Sequence, residues 1–370
     1  MPESQLDRIH LTRRNALRGL LADAQLDAIL VTDLNNIRYL TGFTGSNAAL
    51  LVHVTEERRT LFSTDGRYQT QANTEVPDLE HVLERASAAA LLGRAAAEPA
   101  SYGRVGFESQ LVSVDAYSTM TEQAEGVELR RAPGLTEQLR MVKDESEIDA
   151  LRMASAAADR ALADLIEHGG VRAGWTERQV ARELENLMLD HGSDGAAFPS
   201  IVAAGQYSAI PHHRPTDAVL ADGDFVKLDF GAVIDGYHSD VTRMLVIGKP
   251  AAWQRDLYSL VLTSQAAGCA ASRPGEKVSD VDDAARGVIE RAGYGDEFSH
   301  GLGHGVGLEV HEAPSLTKTG IGTLSAGMTV TVEPGVYLVG RGGVRIEDTL
   351  VVTTEGSEIL TLSTKDLMTV

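Results

Sequence analysis

The sequence predicts an α/β (α+β) chain of two domains. Three observations lead there. At 370 residues the chain is long for one compact domain. Its first third alternates short β-rich runs with helical patterns, as an α/β layer does. Its last part sets acidic residues into strand-like runs around a glycine- and histidine-rich stretch. The apolar fraction of 43% is ample for a core.

Residues 5–24 carry Leu6, Ile9, Leu17, Leu20 and Leu21 mostly on one face, the period of an amphipathic helix. Asp27–Thr32, Ala48–Val54 and Arg59–Ser63 are apolar runs divided by turn residues and read as strands. A helical piece follows near Arg67–Asn73. Helix and strand then alternate through Glu84–Ala97, Val105–Glu108, Val112–Gln123 and Val127–Arg130. Nothing in this part clusters as chemistry would; Tyr39, Asp65 and Tyr68 read as packing, turn or surface residues. Pro133-Gly134 is a turn signal, so the domains are expected to be 1–132 and 133–370.

The second domain opens with a long helical pattern from Asp144 to His168, stopped by Gly169-Gly170. Thr176 and Gln179 have the spacing of a capping box and start another helix. Phe198–Ala204 is strand-like. In Ile210-Pro-His-His-Arg-Pro215 two prolines hold His212 and His213 in an ordered, non-helical segment. Phe225–Val233 and Tyr237–Val246 form a hairpin around Asp235-Gly236. Val226, Leu228 and Phe230 take one face of its first strand, and Lys227 and Asp229 the other; Asp240, Thr242 and Met244 share a face of the second. Helices are expected at Gln254–Ser272 and Ser279–Ala292. The last strands are Thr329–Glu333, which ends in Glu333-Pro-Gly335, and Val344–Val352, which carries Arg345, Glu347 and Asp348.

The formal net charge of -20 argues against nucleic acid or an anionic membrane as partner. No run of apolar residues is long enough to span a bilayer and the start is no signal peptide, so a cytoplasmic protein is expected. Cys269, the single cysteine, forms no internal disulfide and reads as a small buried residue.

The chemistry centres on His300–Glu312, HGLGHGVGLEVHE. Glycine lets backbones approach closely, and histidine brings nitrogen ligands and proton transfer near neutral pH. A phosphate-binding P-loop is excluded because no Gly-Lys-Ser/Thr follows. A zinc-protease HExxH helix is excluded because Ala313-Pro314, with no second histidine, follows His311-Glu312. Aspartate is disfavoured inside strands, and two on paired strands repel unless a cation lies between them. Asp229, Asp240, His304, Glu333 and Glu347 together offer four carboxylates and one imidazole. Two divalent ions balance that charge and leave a bridging hydroxide as nucleophile. The oxygen-rich donors suit Mn²⁺, Co²⁺, Fe²⁺ or Zn²⁺.

His300–Glu312 resembles the signature of the proline-specific metallopeptidases, aminopeptidase P and proline dipeptidase (prolidase). LDFGAVIDGYHSDVTR, TVEPG and GGVRIEDT resemble the family's other ligand-bearing segments. NNIRYLTGFTGSNAALLV and FSTDGRYQTQA resemble its creatinase-type amino-terminal domain more loosely. Methionine aminopeptidases share the ligands but usually lack that domain, and creatinase lacks the ligands. The resemblance implies a pita-bread catalytic domain, two α/β halves around a central sheet with metals in the cleft. It implies two metal ions, foremost Mn²⁺, with Co²⁺ or Zn²⁺ as alternatives. Asp229 would bind one of them, Asp240 and Glu347 would bridge, and His304 and Glu333 would hold the second. Glu333 would also carry a proton to the leaving proline nitrogen, His311 would donate to the developing oxyanion, and His212 would contact the scissile region. Arg345 would hold a ligand carboxylate, and His300 is a candidate for the substrate pocket. The substrates implied are proline-containing peptides, and the assembly a homodimer or homotetramer.

The expected activity is removal of an amino-terminal residue that precedes proline. The alternative is a dipeptidase restricted to Xaa-Pro, which needs a cation for the product carboxylate; Arg214, Lys318 and Arg341 are available. A metal-free binding scaffold of the same fold is the remote alternative.

Overall fold

Helix α1 (Gln5–Asp23) leads into β1 (Ala28–Val31), where four consecutive residues are buried. The computed structural model describes residues 5–370, with side chains from Arg8 onward. Leu17 and Leu21 of α1 are fully buried, as the helical period predicts; Leu6 lies outside the described side chains. A helix the pattern did not suggest follows, α2 (Leu34–Thr41). Its signals are local: Asp33 caps the Asn36 N–H, and Gly42 closes the helix at φ 80°. Then come β2 (Ala48–His53), β3 (Leu61–Thr64), α3 (Gln69–Glu75) and β4 (Glu80–Leu83). The series closes with α4 (Ser87–Ala97), β5 (Arg104–Phe107), α5 (Val114–Gln123), β6 (Glu128–Arg131) and α6 (Leu135–Arg140). The strands form one sheet in the order β4-β3-β2-β1-β5-β6. Leu30, Leu51, Leu91, Leu92 and Val105 are fully buried in its core.

The chain divides into two compact units between Arg140 and Met141. The turn at Pro133-Gly134 lies before that division because α6 stays with the first unit. Arg140 Nη1 donates to Asn36 Oδ1 of α2 at 2.8 Å.

The second unit is built from two α/β halves, the pita-bread architecture. Helix α7 (Glu145–Glu167) starts with a capping box of Asp144 and Glu147, and α8 (Glu177–Asp190) with one of Thr176 and Gln179. Their apolar faces, Leu162, Leu165, Val180 and Leu184, pack on β7 (Ile201–Ala204) and β8 (Phe225–Phe230). The hairpin continues through β9 (Val233–Ile234), β10 (Tyr237–His238) and β11 (Val241–Val246). In the other half α9 (Ala252–Ala271) and α10 (Val278–Arg291) share a core with β12 (Gly303–Gly305), β13 (Glu312–Leu316) and β14 (Thr329–Val332). The chain ends with β15 (Gly335–Leu338), β16 (Gly342–Arg345), β17 (Asp348–Val352), β18 (Ser357–Ile359) and β19 (Met368–Thr369). The sheets are ordered β19-β11-β8-β7 and β13-β12-β14-β17-β18, with β15-β16 as a separate pair.

Two expected strands are interrupted, each at a candidate ligand. The hairpin turns at Asp235-Gly236 with φ of 49° and 73°, yet its ladder breaks before Val241, so Asp240 lies outside a strand. Val344–Val352 is two strands: β16 pairs with β15 and β17 with β14, and Glu347 stands where the chain changes sheets. Ladder geometry would send alternate side chains to opposite faces. Leaving the ladder frees both carboxylates from that alternation.

Candidate metal centre

One cavity of about 200 Å³ in the second unit is lined by His212, Asp229, Asp240, His304, His311, Glu333, Arg345 and Glu347, with Phe198, Ile201 and Val310 as its apolar wall. An adjoining cavity of about 230 Å³ shares His212, His304, His311, Glu333 and Arg345 and adds His300, Ser315 and Thr317. Every candidate site residue read from the sequence therefore lines one of two neighbouring spaces.

The backbone that brings them together is crowded. A Cβ at Gly303 would stand 1.9 Å from Thr331 O, and one at Gly305 2.1 Å from Ala313 O. Only glycine fits a strand squeezed so closely between β13 and β14. His304 lies between these two. Its backbone N–H donates to Thr331 Oγ1 at 3.1 Å, and its Nδ1 is 3.0 Å from Gly305 O. That contact fixes Nδ1 as the protonated nitrogen and leaves Nε2 to face the acids. Nε2 lies 3.4 Å from Glu333 Oε1 and 3.7 Å from Asp240 Oδ2.

Donor atoms of Asp240, His304 and Glu347 all lie within 4.8 Å of one another. Asp229 enters from β8, opposite Thr242 in the ladder. Its Oδ2 pairs with Arg345 Nη2, while Oδ1 is buried without a hydrogen-bond partner among the described residues. Arg345 is spread over the site. Its Nε donates to Thr242 Oγ1 at 3.0 Å and its Nη1 to Pro211 O and Tyr337 Oη at 3.1 Å each. Thr242 Oγ1 donates in turn to Glu347 Oε2 at 2.6 Å.

The charges are strained toward accepting a cation. Burial, with Glu347 and Asp229 nearby, drives the Asp240 carboxyl well above its ordinary range. Burial, with Glu333 and Asp229, does the same to Glu347. Burial also raises Asp229, against the pull of Arg345. Glu333 goes the other way: burial alone would raise it, but the His304 hydrogen bond and charge hold it at about 2. His304, which burial alone would lower, is lifted by Glu333 to about 9. Among protein groups alone, then, protons collect on Asp240, Glu347 and His304. Divalent ions would supply the same positive charge without those protons. An unpartnered buried carboxylate oxygen, an oriented imidazole and oxygen-rich donors fit such ions.

His311 lies beside the cluster, its ring centroid 4.5 Å from that of His304, and burial and His304 lower its pKa. His300 accepts from Tyr337 Oη at 2.8 Å through Nε2 and donates through Nδ1 to Gly301 O at 2.7 Å. That tautomer follows because the Gly301 carbonyl can only accept, which puts the proton on Nδ1. His213 is set apart: buried, 2.8 Å from Glu177 Oε2 and stacked on Tyr207 at 5.1 Å. Its neighbour His212 takes the cavity. The three cations available for a product carboxylate are elsewhere. Lys318 pairs with Glu290 at 2.8 Å, Arg341 lies 4.3 Å over Trp253, and neither they nor Arg214 line either cavity. Sequence reasoning missed Tyr337 and the bridging role of Thr242. Thr242 shares a strand face with the acids, a signal that could have been used; for Tyr337 no local signal exists.

The model of metallopeptidase family M24 matches residues 149–354, and that of the creatinase/prolidase N-terminal domain matches residues 13–142. An uncharacterized peptidase of Bacillus subtilis is 38% identical over 95% of this chain and 98% of its own. A Xaa-Pro dipeptidase of Pyrococcus horikoshii is 34% identical over 93% of this chain and 95% of its own. Among solved structures, a Xaa-Pro dipeptidase from Bacillus anthracis superposes with a TM-score of 0.92 at 37% identity, covering 98% of this chain and 100% of that one. An X-Pro aminopeptidase from Thermotoga maritima gives 0.87 at 33%, covering 96% and 99%.

Proposed function

This chain belongs to metallopeptidase family M24, and on that premise we propose that it is a dinuclear Xaa-Pro dipeptidase. The observation that carries the chemistry is the convergence of four carboxylates and three imidazoles on one cavity. Relatives named Xaa-Pro dipeptidase, matched over nearly their whole length, favour the dipeptide substrate over the expected aminopeptidase activity.

Asp229, Asp240, His304, Glu333 and Glu347 would hold two divalent ions, foremost Mn²⁺, with Co²⁺ or Zn²⁺ compatible with the same donors. When bound, such a pair lowers the pKa of a water molecule and polarises the scissile carbonyl. The protein's part is positional and protonic. Glu333 would take a proton on its carboxylate and pass it to the proline nitrogen. That nitrogen belongs to a tertiary amide and leaves only once protonated. His311, neutral because its pKa is lowered, donates an N–H to the carbonyl oxygen as charge develops there. His212, which lines both cavities, would contact the substrate at its scissile region. Arg345 fixes Asp229, and Thr242 fixes Glu347, so that neither carboxylate must reorganise during the reaction.

One observation favours the aminopeptidase as a second reading: Arg345 is the only lysine or arginine lining either cavity among the described residues, and it is occupied by Asp229. A longer peptide, with no carboxylate after the proline, needs no such cation. Purified protein supplied with Mn²⁺ and offered Ala-Pro and Ala-Pro-Ala in parallel, read by chromatography, separates the two. Cleavage of the dipeptide alone supports the dipeptidase; equal cleavage of the tripeptide transfers the assignment to the aminopeptidase. If neither is cut, the peptidase assignment fails.

A further inference from the structure

Lys227 stands in the middle of β8 with its side chain fully buried. An ammonium group in such a place is costly unless its donors are all used. Here they are. Nζ lies 2.6 Å from Ile210 O, 3.1 Å from Pro211 O and 3.3 Å from Ser208 O, and 5.3 Å above the Tyr337 ring. Three donors meet three carbonyls, which is all an ammonium can give.

Those carbonyls belong to one segment, and the next residue along it is His212. The segment belongs to no strand, so no ladder holds it. It leaves a short 3-10 helix, Gly205–Ala209, and beyond that helix the carbonyls of Ile210 and Pro211 are held by side chains reaching them. Pro211 O takes a second donor from Arg345 Nη1 at 3.1 Å. On the far side of His212, His213 is pinned by Glu177. His212 is thus carried between two anchors, with its own ring facing the cavities.

We propose that Lys227 is a positioning residue for His212: by gathering the carbonyls of Ser208, Ile210 and Pro211 it fixes the approach of that imidazole to the substrate. This rests on the assignment of His212 to substrate contact made above. The residue acts through backbone geometry: Nζ bonds to carbonyls, and it reaches Asp229 only through space, as a charge.

The test uses the full-length, Mn²⁺-loaded protein and two variants. Lys227→Met keeps the length and removes the donors; Lys227→Gln keeps two donors and serves if the methionine variant does not fold. Hydrogen exchange by mass spectrometry is expected to show protection falling about tenfold or more across residues 205–216, with α7 unchanged. On Ala-Pro, kcat/KM is expected to fall about tenfold with metal content unaltered. In a His212→Ala background the same substitution should cost less than about twofold more, because the group it positions is already gone. Unchanged exchange in 205–216, or equal losses with and without His212, overturns the inference. A wild type inactive on both Ala-Pro and Ala-Pro-Ala would instead sink the Xaa-Pro assignment, while the exchange measurement still decides whether the clamp exists.

Discussion

Glu347 and Asp348 are consecutive buried carboxylates with opposite surroundings. Asp348 accepts from Arg243 Nη2 at 2.8 Å, Lys365 Nζ at 2.5 Å, Gln265 Nε2 at 2.8 Å and Thr361 Oγ1 at 2.9 Å. Burial would raise its pKa, but Arg243 and Lys365 win and hold it below the ordinary range. Glu347 takes one hydroxyl, that of Thr242, and stands among three other acids. The packet around Asp348 is complete with protein donors alone. The cavity around Glu347 is not. A buried acid that the fold has satisfied is architecture, and one left under-satisfied beside others like it is held for a cation. The two meet at Arg243, whose Nη1 donates to Glu347 O and whose Nη2 donates to Asp348 Oδ1.

That contrast can be broken by exchanging the two kinds of loss. Asp240→Ala is expected to abolish hydrolysis of Ala-Pro and to lower bound metal, measured by elemental analysis, while circular dichroism stays native. Wild-type turnover in that variant would remove Asp240 from the centre. Asp348→Ala should do the reverse, costing about 3–5 kcal/mol in urea denaturation because Arg243 is left buried without its counter-charge. A variant as stable as the wild type would erase the distinction between the two acids. His311→Ala sharpens the boundary of the cluster: metal content should hold while kcat drops about 10²–10³-fold from the lost oxyanion donor. Metal loss there would make His311 a ligand.

The smallest effect concerns pH and the metal-free protein. Glu347 has a folded pKa well above the ordinary value of 4.5, so the folded state binds its proton more tightly than the unfolded chain does. Stability from this group is therefore present at low pH and is lost as pH rises above 4.5 toward the folded value. Glu347→Gln removes that loss. After chelator treatment the variant should melt at a higher temperature than the wild type at pH 8, with the gap closing near pH 4. A gap that widens on acidification would show that Glu347 is not under-satisfied.

The histidine stretch was legible because its chemistry and its geometry share the same thirteen positions: His304 needs Nε2 free, and Gly303 and Gly305 let its backbone through. The capping box of Thr176 and Gln179 was legible for the same reason, being satisfied within four residues. Short α2 was not read, although Asp33 and Gly42 mark its ends, because the apolar period of eight residues is too brief to stand out. Glu347 was read as a strand residue because β-rich composition continues through it. The change of sheets that turns it inward depends on which partners β16 and β17 find. Lys227 was placed on the strand face it shares with Asp229, but its carbonyl partners were not legible, because the segment folded over it joins that face only in the tertiary structure.

The amino-acid sequence by itself determined the kind of chemistry available: which residues could donate to a metal, which could move protons, and which glycines had to stay small. Those are properties of side chains and of a few adjacent dihedral angles. The tertiary structure decided which acids stand satisfied and which do not. Asp348 and Glu347 are neighbours in the chain, yet one meets Arg243, Lys365 and Gln265 while the other meets Asp229, Asp240 and Glu333. Burial and partner charges arriving from distant positions set that difference, and they exist only after the chain has folded.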